Sequence, residues 1–181
     1  NKAIQKQVDQ ARKAMFAVLT KARRLGLTVE MQVELFDTMV LPVLLYGCEV
    51  WGCSVVPLHQ IEVFYRKFLK IVLRLQHNTP SCMLYGEVGK LPLQTIVERR
   101  IISFWMKISE GKPTKYSTIL YKIMFELDSR GAYNYRWITN IKNILNKYGF
   151  SDLWLNQKQY KSENTIMVLK PDIYNSSNEK M

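Results

Sequence analysis

This sequence predicts an all-α fold, a multi-helix bundle of about six to eight helices with no significant sheet. Three observations predict it. Apolar residues recur at helical spacing over long stretches of the chain. The stretch from Leu58 to Leu75 separates into an apolar face and a basic face. Residues that start and stop helices divide the periodic runs, and there is no convincing hairpin and no internal repeat.

The first helix is carried by Ile4, Val8, Ala11, Met15, Val18, Ala22 and Leu25, which alternate steps of four and three. That spacing makes one apolar seam and leaves Lys2, Lys6, Lys13 and Arg24 on the far side. Gly26 suits the position just past the helix end, where a left-handed residue is favoured. Thr28 caps a second helix, with Glu30 favourable in its first turn, and the helix runs through Phe36 towards Val40. Pro42 then lacks a backbone donor and crowds the carbonyl of Thr38, so the helix kinks or restarts. The apolar stretch that follows is expected as two short helical pieces ending near Gly52, with Leu45, Tyr46 and Trp51 forming a buried hub.

In the third helix, from about Leu58 to Leu75, the residues Leu58, Ile61, Tyr65, Phe68, Leu69, Val72 and Leu75 gather on one side. Arg66, Lys67, Lys70 and Arg74 gather on the other, as a solvated face or a stripe that tracks phosphates. Thr79 followed by Pro80 predicts a cap with proline at the first helical position, and a short helix closing near Gly86 or Gly89. Pro92 starts a longer helix to about Ser109. Further helices are expected from Ser117 to Ser129 and from Asn134 to Tyr148, stopped by Gly131 and Gly149. A last turn near Ser151 carries Trp154, and from about Tyr160 the chain reads as a polar, frayed tail.

A chain of 181 residues suits one domain, or one with a small annex, and 48% hydrophobic residues with mean hydropathy −0.14 describe a globular protein. The uncharged run from Thr38 to Cys48 is far shorter than the roughly 20 residues of a membrane-spanning helix. No initiator Met and no apolar leader stand at the start, which reads as the interior of a longer chain. Net charge is +11. Residues 1–80 hold 11 basic and 6 acidic side chains, residues 81–160 hold 12 and 6, and residues 161–181 hold 3 and 3. The positive excess therefore sits on the folded body, where it attracts polyanions, nucleic acid foremost.

Chemistry is scarce. Cys48, Cys53 and Cys82 cannot all pair and include no CxxC, which suggests an intracellular protein with buried thiols. Combined with His59 or His77 they match no zinc spacing, so no metal site is predicted. "GEVGK" (86–90) lacks the spacing and the preceding strand of a phosphate loop. Glu49 lies among apolar residues, where a hydrogen bond explains it better than catalysis. His59 and His77 have no evident Ser, Cys or Asp partner, and no catalytic motif occurs. Trp51, Trp105, Tyr46, Tyr85 and Phe104 are possible base-stacking platforms, but their periodic apolar setting favours core packing.

The ordered combination "FDTMVLPVLLYGCEVWG" (36–52), "IEVFYRKFLKIVLRLQHNTPSCMLYGEVGKLPL" (61–93) and "RRIISFWMKI" (99–108) resembles the reverse transcriptases of non-LTR (LINE-type) retrotransposons. The likeness runs from about Ala11 to Gln157, and "GFSDLWLNQ" (149–157) is similar to the ending of animal elements. It implies the helical thumb and the connecting region behind the polymerase palm. On that basis residues 1–56 are the thumb-like bundle, 57–158 the connection and 159–181 a flexible tail. The family copies RNA into DNA with Mg2+ held by palm aspartates in a motif like F/Y-x-D-D. That motif is absent from this sequence, so no catalytic residue and no cofactor is expected in this chain.

The implied partners are RNA or RNA–DNA duplex, together with upstream polymerase and endonuclease domains, and no membrane. The nucleus is a possible location for the parent element. A thumb grips the duplex through its backbone, which calls for stiff helices and cations in place of sequence-reading side chains. Arg66, Lys67, Lys70 and Arg74 are the first candidates for phosphate contact, Lys21, Arg23 and Arg24 the second, and Arg99 and Arg100 the third. Two alternatives stand beside this reading: a self-sufficient nucleic-acid-binding module, and a remnant of a transposable element without function.

Overall fold

A computed structural model describes residues 2–155, and among them the fold is all-α, with ten helices and no strand. In chain order these are α1 (Lys2–Arg24), α2 (Val29–Met39), α3 (Leu41–Leu44), α4 (Cys48–Trp51) and α5 (Val55–Val72). They are followed by α6 (Ser81–Val88), α7 (Leu93–Ser109), α8 (Tyr116–Ser129), α9 (Arg136–Lys147) and α10 (Ser151–Leu155). The count exceeds the expected six to eight because short pieces stand as separate helices. Pro42 sits in the first turn of α3, and Gly47, at φ +67°, turns the chain into α4. The tail predicted from residue 159 lies outside the described residues.

The chain forms two compact units, divided after Gln94 at the start of α7. In the first, α1 packs on α2, α3 and α5, α2 also packs on α3 and α5, and α5 packs on α6. The seam of α1 is buried from Ile4 to Ala22 as its period predicts. Leu25 departs from it and is 72% exposed. The cause is the helix end: Gly26 N–H bonds to Arg23 O and Leu27 N–H to Ala22 O, with Gly26 at φ +63°. Leu25 is thus the capping residue and leaves the seam. Thr28 caps α2 by accepting from Met31 N–H at 3.4 Å. Phe36 is fully buried and stacks on Phe68, with ring centroids 3.9 Å apart. Removing that ring would cost about 3–5 kcal/mol.

The expected hub around Trp51 is only partly formed. Leu45 is fully buried, Trp51 is half-buried, and Tyr46 is 81% exposed. Tyr46 falls in the turn between α3 and Gly47, which points its ring outward. α5 begins earlier than its apolar pattern suggests and ends at Val72, so Leu75 lies beyond it and is exposed. α6 starts one residue later than expected: Pro80 is the cap, and Thr79 Oγ1 donates to Gln76 O at 2.9 Å. α5, expected from sequence in the connection region, packs with α1 and α2 in the first unit.

In the second unit the core is built from Ile101, Ile102, Trp105, Ile138, Ile141 and Leu145, all buried. The Trp105 indole N–H donates to Tyr121 Oη at 2.9 Å, and its ring stacks on Trp154 at 5.8 Å. Glu98, only 6% exposed, accepts from Lys147 Nζ at 2.7 and 2.9 Å and from Tyr148 Oη at 2.6 Å. A carboxylate this deep needs such partners, because an unpaired buried charge is costly. Trp105 and Tyr85 are core residues as predicted, while Phe104 is half-buried, edge-on to Trp137 at 6.3 Å. The thiols are mixed: Cys48 is buried, Cys53 is half-buried and Cys82 is exposed. The expectation of buried thiols therefore holds for Cys48 alone, since Cys82 occupies the outer face of α6.

Candidate nucleic-acid interface

Of the first four candidate cations, only three share the helix. Lys67 is exposed on α5, and Arg66 and Lys70 are half-buried on the same side. Both half-buried cations also serve the fold. Arg66 donates to Ser81 Oγ at 3.0 Å and to Glu62 O at 3.4 Å, and Lys70 Nζ donates to His77 O. They thereby hold the connection between α5 and α6 in place. Arg74 lies beyond the helix, which ends with Leu73 as its cap. Leu75 N–H bonds to Lys70 O at 3.0 Å and Arg74 N–H to Ile71 O at 3.4 Å, with Arg74 at φ +55°. This is the position that glycine usually fills. Arg74 is exposed, but it is set off from the α5 stripe where a continuous helix would have placed it.

The second candidates, Lys21, Arg23 and Arg24, are all exposed in the last turn of α1. There the carbonyl end of the helix dipole also favours them. Arg99 is exposed on α7 in the second unit and Arg100 is half-buried.

α1 carries more charge than the candidate sets anticipate. Its seven cations, Lys2, Lys6, Arg12, Lys13, Lys21, Arg23 and Arg24, are all exposed, and Asp9 is its one acid. Asp9 pairs with Arg12 at 3.4 Å. Lys2, Lys6, Lys13 and Arg24 share one face of the helix, and at 1.5 Å per residue this stripe is roughly 33 Å long. That is enough to pass about ten phosphates of one strand at 3.4 Å each. Lys2, Lys6 and Lys13 lie opposite the apolar seam and follow the same 3.5-residue period.

Two adjoining grooves flank α5 in the first unit. One, of about 560 Å³, is lined by Val63, Arg66, Lys67, Lys70 and His77, among others. The other, of about 430 Å³, lies against α1 and includes Arg12, Phe16, His59, Val63 and Lys67. Val63 and Lys67 belong to both, so Arg12, Lys67, Arg66 and Lys70 border one basic channel. His59 and His77, without an evident catalytic role in the sequence, each line one of these grooves. The four cations along these grooves suit contact with a nucleic-acid backbone.

On α5, Glu62 fixes the helix against its neighbours. Its two oxygens accept from Tyr85 Oη and from Gln94 N–H, the latter at 3.2 Å. Burial, and then the hydrogen bond to Glu62 and its charge, push the Tyr85 phenol well above the usual tyrosine range. Burial, and then the charges of Asp37 and Glu62, push Tyr65 the same way. Both rings are therefore neutral packing elements at physiological pH. Asp37 itself pairs with Lys90 at 2.7 Å.

Among the described residues, no group of three or more His, Cys, Asp or Glu side chains is placed to hold a metal ion. No helix among them is long and apolar enough to cross a membrane. No family model, curated protein or solved structure matches the chain.

Proposed function

We propose that this chain is the thumb and connection portion of a non-LTR retrotransposon RNA-directed DNA polymerase, gripping template RNA–DNA duplex by its backbone. It carries no catalytic centre of its own. The observation that carries this reading is the fixed order of LPxLLYGxExW (41–51), FLK (68–70) and TPxxxxYGExGxxPL (79–93) in one chain. The all-α fold and the exposed cations of α1 support it, because a backbone grip needs stiff helices and charge. The polymerase and endonuclease domains are its proposed covalent partners, and Mg2+ belongs to the palm.

The interface is tested by replacing Lys2, Lys6, Lys13 and Arg24 together with Gln. These residues are exposed, so the fold should survive. Each phosphate contact contributes about 0.9 to the salt slope, so binding to RNA–DNA heteroduplex should weaken and the slope should fall by up to about 3.6. An unchanged slope would remove α1 from the interface. The same replacement of Arg66, Lys67, Lys70 and Arg74 then tests the channel.

A further inference from the structure

Beside the basic stripe lies an aromatic residue that the core does not use. Tyr46 is 81% exposed, although its neighbours Leu44 and Leu45 are buried. Its backbone is held firmly. Tyr46 O accepts from Gln7 Nε2 and from Trp51 Nε1, each at 2.9 Å, and Gln7 Nε2 also donates to Val43 O at 2.9 Å. Gly47, at φ +67°, turns the chain immediately after it. The ring therefore stands out from a fixed turn. It borders a hollow of about 590 Å³ with Lys6, Gln7, Gln10, Pro42 and Val43. Lys6, Gln10 and Lys13 follow at steps of four and three along α1, and all three are exposed.

From this arrangement we infer that Tyr46 is a stacking platform for an unpaired nucleobase, so that the first unit holds single-stranded nucleic acid at this hollow. The inference rests on the proposed polynucleotide grip and adds the strand type and the site. Sites of this kind combine an exposed aromatic face with cations that follow the backbone, and they tolerate any base because every base has a π-face. Tyr46 supplies the face, Lys6 and Lys13 the cations, and Gln10 an amide within the same stretch. A proline-rich peptide could also lie on an exposed tyrosine, but it would leave the positive field of α1 unanswered. Charge complementarity selects the polyanion.

The test measures binding of the full chain to a labelled oligouridine and, separately, to a labelled RNA–DNA heteroduplex, at low salt. Tyr46→Ala should weaken oligouridine binding by about 5- to 100-fold, the range expected for losing one stacked base. Tyr46→Phe should stay within about 2-fold of the unaltered chain, because the ring does the stacking. Heteroduplex binding should be unaffected by either change. Tyr46 bonds to its neighbours through its carbonyl, so the alanine variant keeps the turn, and a thermal melt checks this. Equal oligouridine affinity for Tyr46→Ala and the unaltered chain would overturn the inference. Salt-dependent heteroduplex binding without any oligouridine binding would overturn it while leaving the duplex grip standing. Failure to bind either probe would remove both.

Discussion

The Tyr85 phenol on α6 donates a hydrogen bond to Glu62 on α5, whose other oxygen receives Gln94 N–H at the start of α7. One carboxylate thus ties three consecutive segments. Tyr85→Phe keeps the ring and removes the donor, leaving a part-buried carboxylate short of a partner. We expect a loss of about 1–3 kcal/mol in urea denaturation. An unchanged midpoint would mean that Glu62 finds water at no cost.

The same pair predicts a direction with pH. Tyr65 and Tyr85 have phenol pKa values raised in the folded chain, burial being the first cause for both. A raised folded pKa means that the native state keeps its proton after the unfolded state has lost one. The stabilising effect is therefore complete below the unfolded value of about 10 and is lost as pH rises beyond it. Stability measured between roughly pH 8 and pH 11 should fall at the upper end, and the Tyr85→Phe variant should fall less steeply. Equal profiles would contradict the assignment.

Arg74 holds a left-handed backbone conformation at φ +55°, closing α5 where glycine is usual. Arg74→Gly should stabilise the protein by about 1 kcal/mol, since a non-glycine residue is strained there. It should also lower the salt slope of duplex binding by at most about 0.9. Destabilisation on replacement would show that the Arg74 side chain contributes more than its backbone costs.

Gly111 allows a close approach in the second unit. A Cβ there would overlap Thr118 Oγ1 and lie 3.2 Å from Ile108 O. Thr118 is almost fully buried and has little room to withdraw. Gly111→Ala should cost about 1–3 kcal/mol by overpacking. A thermal melt checks it, and an unshifted melting temperature would show that α8 can slide away.

How much of this was legible in the sequence depended on whether the cue was periodic or local. The seam of α1, the break at Pro42, the cap at Thr28 and the glycine stops all follow from spacing or backbone chemistry, and all were readable. Leu25 and Tyr46 look like core residues in a list of apolar positions. They lie on the surface because each sits where a helix has ended, and a helix end shifts the facing of the next residue by more than a period can track. Arg74 left its predicted stripe for the same reason. The use of Arg66 and Lys70 to hold the α5–α6 connection was not readable either. It depends on Ser81 and His77 folding back, which periodicity along one helix does not encode. The α1 stripe is visible in the spacing of Lys2, Lys6 and Lys13, although the charges are more crowded at the end of α1 and on α5.

A duplex grip through the backbone shows itself in the salt dependence of binding. The full chain is titrated into labelled RNA–DNA heteroduplexes of two unrelated sequences across a series of salt concentrations. A backbone grip gives submicromolar affinity at low salt, equal for both sequences, with a steep negative slope of log K against log salt, near 0.9 per phosphate engaged. Weak binding with a shallow slope would contradict it, and the charge of +11 would then be solvated surface alone.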